Sequence, residues 1–226
     1  PSSSQPAPSS SQPAPSSSQP APSSSWQVLQ DLGRLDDAEP LLQEAVSGSR
    51  DALGVAHPST LTSVTNLAIL LKAQGRLDEA EPLYREALDG RREVMGDEHP
   101  ATLDSVSNLG TLLFHQGRLE AAEPLFREAL EARREELGGD HADTLDSVTN
   151  LGTLLYHQGK LTEAEPLFRE ALQRKRDALG ERNPGLLSSV INLATLLQEQ
   201  GEADEAEELL HEAAQYETAL ADHLMA

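Results

Sequence analysis

Apolar positions recur at helical spacing through most of this chain. Between residues 99 and 117, Leu103, Val106, Leu109, Gly110 and Leu113 fall on one face, which predicts a helix over roughly 101–115. A second stripe follows in Ala122, Leu125, Phe126, Ala129, Leu130 and Leu137, and predicts a helix over roughly 120–137. Gly117 ends the first helix, because glycine tolerates the left-handed cap conformation, and Gly138 is a natural stop for the second. Pro124 falls near the first turn of the second helix, where a missing N–H matters least, with a small kink as the alternative. The alanines let neighbouring helices approach closely.

This two-helix pattern repeats with a period of 42 residues. Gly33, Gly75, Gly117, Gly159 and Gly201 keep that step, as do Ala38, Ala80, Ala122, Ala164 and Ala206. Asn66, Asn108, Asn150 and Asn192 share it, and so do Gly54, Gly96, Gly138 and Gly180. A fixed period of this length marks a stacked array in which each unit buries its apolar face on the next. Complete units are expected at 57–98, 99–140 and 141–182. A partial unit is expected at 26–56, and a C-terminal unit with a capping helix at 183–226. Residues 1–25 read PSSSQPA three times and then PSSS, hold half of the prolines, and have almost nothing to bury. A disordered linker is the expectation there, ahead of a PxxP docking motif, and the segment has neither the basic start nor the apolar centre of a secretory signal.

The recurring N-L-G/A, Q-G-R/K-L, E-A-E-P-L and R-E-A-L segments resemble the tetratricopeptide repeat. The 42-residue length, with HP opening the unit and G closing it, is most similar to the kinesin light chain type. The resemblance spans residues 26–224. It implies an all-α, right-handed solenoid whose first helices line a concave groove that holds peptide segments. It also implies that the recurrent Asn lies in that groove. Association with a kinesin-type motor follows from the resemblance alone, and the heptad coiled coil by which such light chains join the motor is absent from these residues.

Composition removes several function classes. The formal charge is −21, which argues against nucleic acid and anionic membrane surfaces, since both need clustered Lys and Arg. Aromatic residues are only 3% of the chain, too few for base stacking. No apolar run is long enough to span a membrane. Cysteine is absent, so neither disulfides nor thiolate metal sites are expected, and a cytoplasmic setting is. There is no HExxH, GxSxG or phosphate-binding loop, and Gly152 with Gly159-Lys160 misses the last in spacing and in context. No calcium-binding loop appears, and the acidic clusters near residue 204 read as solvated helix faces. We therefore expect no enzyme, no cofactor and no metal. His57, His99 and His141 open three units, with helix-start packing as their expected role. Stacking would hold them about 10 Å apart, too far to share one metal.

On a helical wheel, Asp104, Asn108, Thr111 and His115 lie opposite the core face of the first helix, and Asp146, Asn150, Thr153 and His157 repeat that stripe. Thr62, Asn66, Ile69 and Ala73 precede it, and Ser188, Asn192, Thr195 and Glu199 follow. Lys72, Phe114, Tyr156 and Gln198 lie beside the stripe. Asn inside a helix costs about 0.5 kcal/mol relative to Ala, because its side chain competes for backbone bonds. Its amide either pairs with an extended peptide backbone or bonds the neighbouring repeat and fixes the stacking angle. Because Lys72 is outnumbered by Asp104, Asp146 and Glu199, a basic or neutral partner segment is expected. A self-stacking structural module and a regulatory domain of a larger protein are the rival readings. In the last unit Glu208 replaces the recurrent proline, and Leu209, Leu210, Leu220 and Leu224 form a candidate docking face.

Overall fold

The computed structural model describes the backbone of residues 32–180 and 183–225, and their side chains apart from Pro184 and 215–225. The low-complexity segment 1–25 and the expected half-helix at 26–31 lie outside the described residues. Among the described residues nine α-helices follow in order: α1 Leu35–Leu53, α2 Pro58–Ala73, α3 Leu77–Met95, α4 Pro100–His115, α5 Leu119–Leu137, α6 Ala142–His157, α7 Leu161–Leu179, α8 Leu187–Gln200 and α9 Ala203–Met225. A short 3-10 turn at Pro184–Leu186 precedes α8, and no strand occurs among the described residues. Each helix packs on the next in sequence, so the even-numbered helices form one row and the odd-numbered ones another. This is an all-helical stack of helix pairs.

Local chemistry sets the helix limits. The Nδ1 atoms of His57, His99 and His141 accept hydrogen bonds from the backbone N–H of Ser59, Ala101 and Asp143 at 3.1, 3.1 and 3.2 Å. These histidines are exposed N-caps, so the expected packing role gives way to capping: a ring that points into solvent can accept from a free helix N–H but buries nothing. Gly117 has φ +74°, in the left-handed region expected for it. Pro124 lies deeper than expected, as the sixth residue of α5, since that helix starts at Leu119. It faces solvent, so water can satisfy the carbonyl that loses its N–H partner.

The even-numbered helices bury more than one face, because each is held between the second helices before and after it. In α4 the buried set is Thr102, Leu103, Ser105, Val106, Leu109, Gly110, Leu112 and Leu113, which is wider than the single stripe expected. In α5 it is Ala122, Phe126, Ala129, Leu130 and Arg133, with Leu125 and Leu137 only half-buried. Gly110 leaves room for Phe126: a Cβ on that glycine would stand 3.0 Å from the ring. Burying one such Leu or Phe contributes about 1.5–3 kcal/mol. In the last unit Leu209 belongs to the core at 8% exposure, so it is not part of an exposed docking face, whereas Leu210 is 38% exposed. The side chains of Leu220 and Leu224 lie outside the described residues.

Two polar ladders tie successive second helices together. Glu81 accepts from Arg85, Arg118 and Gln116, at 2.8, 2.8 and 3.2 Å. One unit later Glu123 accepts from Arg127, Lys160 and Gln158, at 2.7, 2.8 and 3.0 Å. Those partners hold the Glu123 carboxyl down to about 2. Glu39 is served by Arg76, and Glu165 by Arg169 and Gln200. The second ladder runs Arg50–Glu86, Arg92–Glu128, Arg134–Glu170 and Arg176–Glu212. Each rung crosses from one unit to the next, so together they fix the offset between units.

Candidate interaction groove

The residues of the wheel stripe lie along the row of even-numbered helices. Asn66, Asn108, Asn150 and Asn192 are all half-buried, one per first helix. None of the four amides hydrogen-bonds another residue among the described ones, so the stacking bond that was one alternative for them is not made. Thr111 and Thr153 are half-buried and donate to carbonyls one turn back, those of Ser107 and Thr149, at 2.8 and 2.9 Å. His115 and His157 are exposed.

Two adjacent first helices enclose a small cleft. Thr111, Phe114 and His115 of α4 and Asn150 and Thr153 of α6 line about 190 Å³ over the ring of Phe126. Phe114 meets His157 edge-on at 5.0 Å between ring centres, and Tyr156 meets His157 at 5.4 Å. The Tyr156 hydroxyl donates to Glu199 of the next first helix, and that bond to a carboxylate raises the pKa of the phenol. Lys72 takes the place of Phe114 and Tyr156 in α2; it is half-buried, and burial lowers its pKa.

The charge along this row differs from the sequence expectation, because side chains arrive from the other row. Arg133 of α5 is 6% exposed and reaches between α4 and α6. It donates to Asp104 at 2.6 Å, to Ser147 at 2.7 Å and to Ser107 at 3.1 Å. Asp104 is thereby paired, and Glu199 is engaged by Tyr156. Asp146 makes no ion pair among the described residues. Arg91 of α3 enters the junction one unit earlier, donating to Ser105 at 2.5 Å and to the Ala101 carbonyl at 3.3 Å. Neither arginine appears in a wheel drawn for the first helices. The available signal was the 42-residue series Arg91, Arg133, Lys175, inside a helix whose other inward positions are apolar.

No group of three or more His, Asp or Glu side chains that could hold a metal ion occurs among the described residues. No helix among them is long and apolar enough to cross a membrane. The larger surface depressions lie on the side of the second helices, around Arg127, Glu131 and Pro166 and around Leu103, Pro124 and Ala132.

No curated protein matches the chain. Among solved structures it is similar to a Podosopora anserina kinesin light chain-like protein with nearly identical TPR-like repeats, at 25% identity. That match covers 87% of this chain and 93% of the other, with a TM-score of 0.78. BtubC (BKLC) from P. vanneervenii is similar at 25% identity over 87% of this chain and 78% of the other, with a TM-score of 0.77. YrrB, described as a TPR protein with an unusual peptide-binding site, shares the fold at 18% identity and a TM-score of 0.54. The family model for the tetratricopeptide repeat matches residues 27–93, 63–135, 99–177 and 144–216. The chain therefore belongs to the tetratricopeptide repeat family, as a protein–protein interaction domain whose structural neighbours are kinesin light chain-like.

Proposed function

We propose that this chain is a scaffold or adaptor that holds a peptide or protein segment along the row α2, α4, α6 and α8. The observation that carries the reading is the Asn series: four helix-interior amides, each half-buried and none spent on a bond to another of the described residues. An amide supplies a donor and an acceptor at once, which suits the backbone of an extended segment. The proposed contact surface comprises Asn66, Asn108, Asn150, Asn192, Asp104, Asp146, Thr111, Thr153, His115, His157, Lys72, Phe114 and Tyr156. The cleft over Phe126 would take one apolar side chain of the partner. The units of this scaffold run 57–98, 99–140, 141–182 and 183–226, after a partial unit at 26–56 and a linker at 1–25. The net charge of −21 favours a partner of neutral or basic overall charge. By similarity to the kinesin light chain-like structures, a motor-linked adaptor is the first setting to examine.

Affinity capture with residues 1–226, compared with the Asn108→Ala, Asn150→Ala double variant, tests the reading. Partners should be lost from the double variant; partners captured equally by both would refute groove binding. A second reading, end-to-end self-assembly, is favoured by Glu207. It occupies the ladder position of Glu39, Glu81, Glu123 and Glu165 and, unlike them, makes no ion pair among the described residues. Light scattering over a concentration series decides, since a monomer at all concentrations rejects self-assembly.

A further inference from the structure

Three junctions, where a second helix reaches between two first helices, share one scaffold and differ in charge. The middle one is closed. There Arg133 meets Asp104, whose side chain is 62% exposed, so the guanidinium can be reached by a carboxylate lying at the groove surface. The first junction is open. Arg91 is 6% exposed, and the position of Asp104 is taken by Thr62, whose hydroxyl lies 3.5 Å from the Arg91 guanidinium. Arg91 makes no ion pair among the described residues: the field of Asp104 reaches it, but the Asp104 carboxylate is bonded to Arg133. Burial lowers the pKa of Arg91 more than the field of Asp104 raises it. In the third junction Lys175 and Asp146 make no ion pair, and the buried Ser189 hydroxyl no hydrogen bond, among the described residues.

We propose that Arg91 is a carboxylate subsite of the groove, at which an Asp or Glu side chain of the bound segment takes the place that Asp104 takes against Arg133. The proposal rests on the groove reading above and adds the register to it. A buried guanidinium without a counter-ion is an uncompensated charge, and a partner carboxylate would complete it. Thr62 is exposed, so the vacant position opens on the same surface as the Asn series. Lys72 adds a second cation without an ion-pair partner on the same helix, while Asp146 leaves an unpaired anion two units further on. A bound segment therefore lies with its acid toward α2 and its base toward α6. Such a segment stays neutral or basic overall and still carries one carboxylate that sets its orientation.

Two measurements on the full chain test the subsite. In the first, the Arg side-chain Nε–Hε resonances are followed by NMR while sodium acetate replaces sodium chloride at constant ionic strength. Acetate should move the Arg91 resonance in a saturable way and leave Arg133 unmoved, and Thr62→Asp should abolish the effect by supplying the carboxylate from within. An unmoved Arg91, an equal shift in Thr62→Asp, or a response to inorganic phosphate at lower concentration than acetate would overturn the assignment. In the second, a pool of capped Ala/Ser/Lys peptides carries Glu or Gln at each position in turn. One Glu position should bind about tenfold tighter than its Gln counterpart, and the preference should vanish in Thr62→Asp and in Arg91→Met. Peptides that bind without any Glu preference would sink the subsite and leave the groove reading intact. Should the Asn108→Ala, Asn150→Ala variant bind the pool as well as the native chain, the groove reading fails instead, and the acetate titration still judges Arg91.

Discussion

The seam between second helices and the face of the first helices obey the same 42-residue period and treat their polar residues in opposite ways. Along the seam nearly every repeated carboxylate is used up inside the chain. Glu81 and Glu123 each have three donors, two of which belong to the following unit. Along the first-helix face the repeated Asn amides have no hydrogen-bond partner among the described residues, and the charges alternate between closed and open. The stacking angle is therefore held by the seam, and the other face is left with hydrogen-bonding capacity that a second molecule can use. A polar residue recurring at the repeat period carries no label saying which of these it is. Only its surroundings across the unit boundary tell.

Substitutions can break this contrast in order of expected size. Phe126 lies beneath the cleft and inside the core, so Phe126→Ala should cost about 3–5 kcal/mol in urea unfolding and remove the cleft as well. Next come the two junction arginines. Arg133→Met removes the ion pair to Asp104 and the bonds to Ser107 and Ser147 and should cost about 1–3 kcal/mol, whereas Arg91→Met removes a buried charge that has no ion pair and should be near neutral. Equal losses would show that the two junctions are alike after all.

On the seam, Glu123→Gln should cost about 1 kcal/mol at pH 7, because these pairs are only partly buried. Its pH dependence has a definite sign. The folded carboxyl titrates near 2 and the unfolded one near its ordinary ~4.3, so the stabilisation is complete above about pH 5 and fades as pH falls through 4 toward 2. Urea midpoints of native chain and variant should converge over that window, and a constant gap down to pH 2 would count against the pairing. Smallest of all, Asn108→Ala should raise stability by about 0.5 kcal/mol, since Ala is the better helix former and no internal bond is lost. A destabilisation above 1 kcal/mol would put the Asn series back among the stacking contacts.

Much of the fold was legible because it is local. The spacing of Leu103, Val106, Leu109 and Leu113, and the glycines at 117 and 138, gave both helices of a unit to within a residue or two. Pro124 sits one residue deeper in its helix than expected, because the start after Arg118 carries no capping side chain that a sequence would betray. Packing at the helix start was the expected role of the histidines, yet each ring turns outward and caps the helix. The groove stripe was legible as positions on a wheel, but its charge was not. Arg91 and Arg133 stand on other helices, and Arg133 pairs with Asp104, one of the acids that the wheel counted as free.

The sequence alone determined that this chain is a column of two-helix units, where the two helices of a unit lie to within a residue or two, and the main apolar stripe of each, since these follow from chemistry within a few residues of each position. The tertiary structure decided which polar groups are spent and which are left over. The pairings between helices join residues 10 to 43 positions apart, and they depend on the offset at which one unit settles on the next.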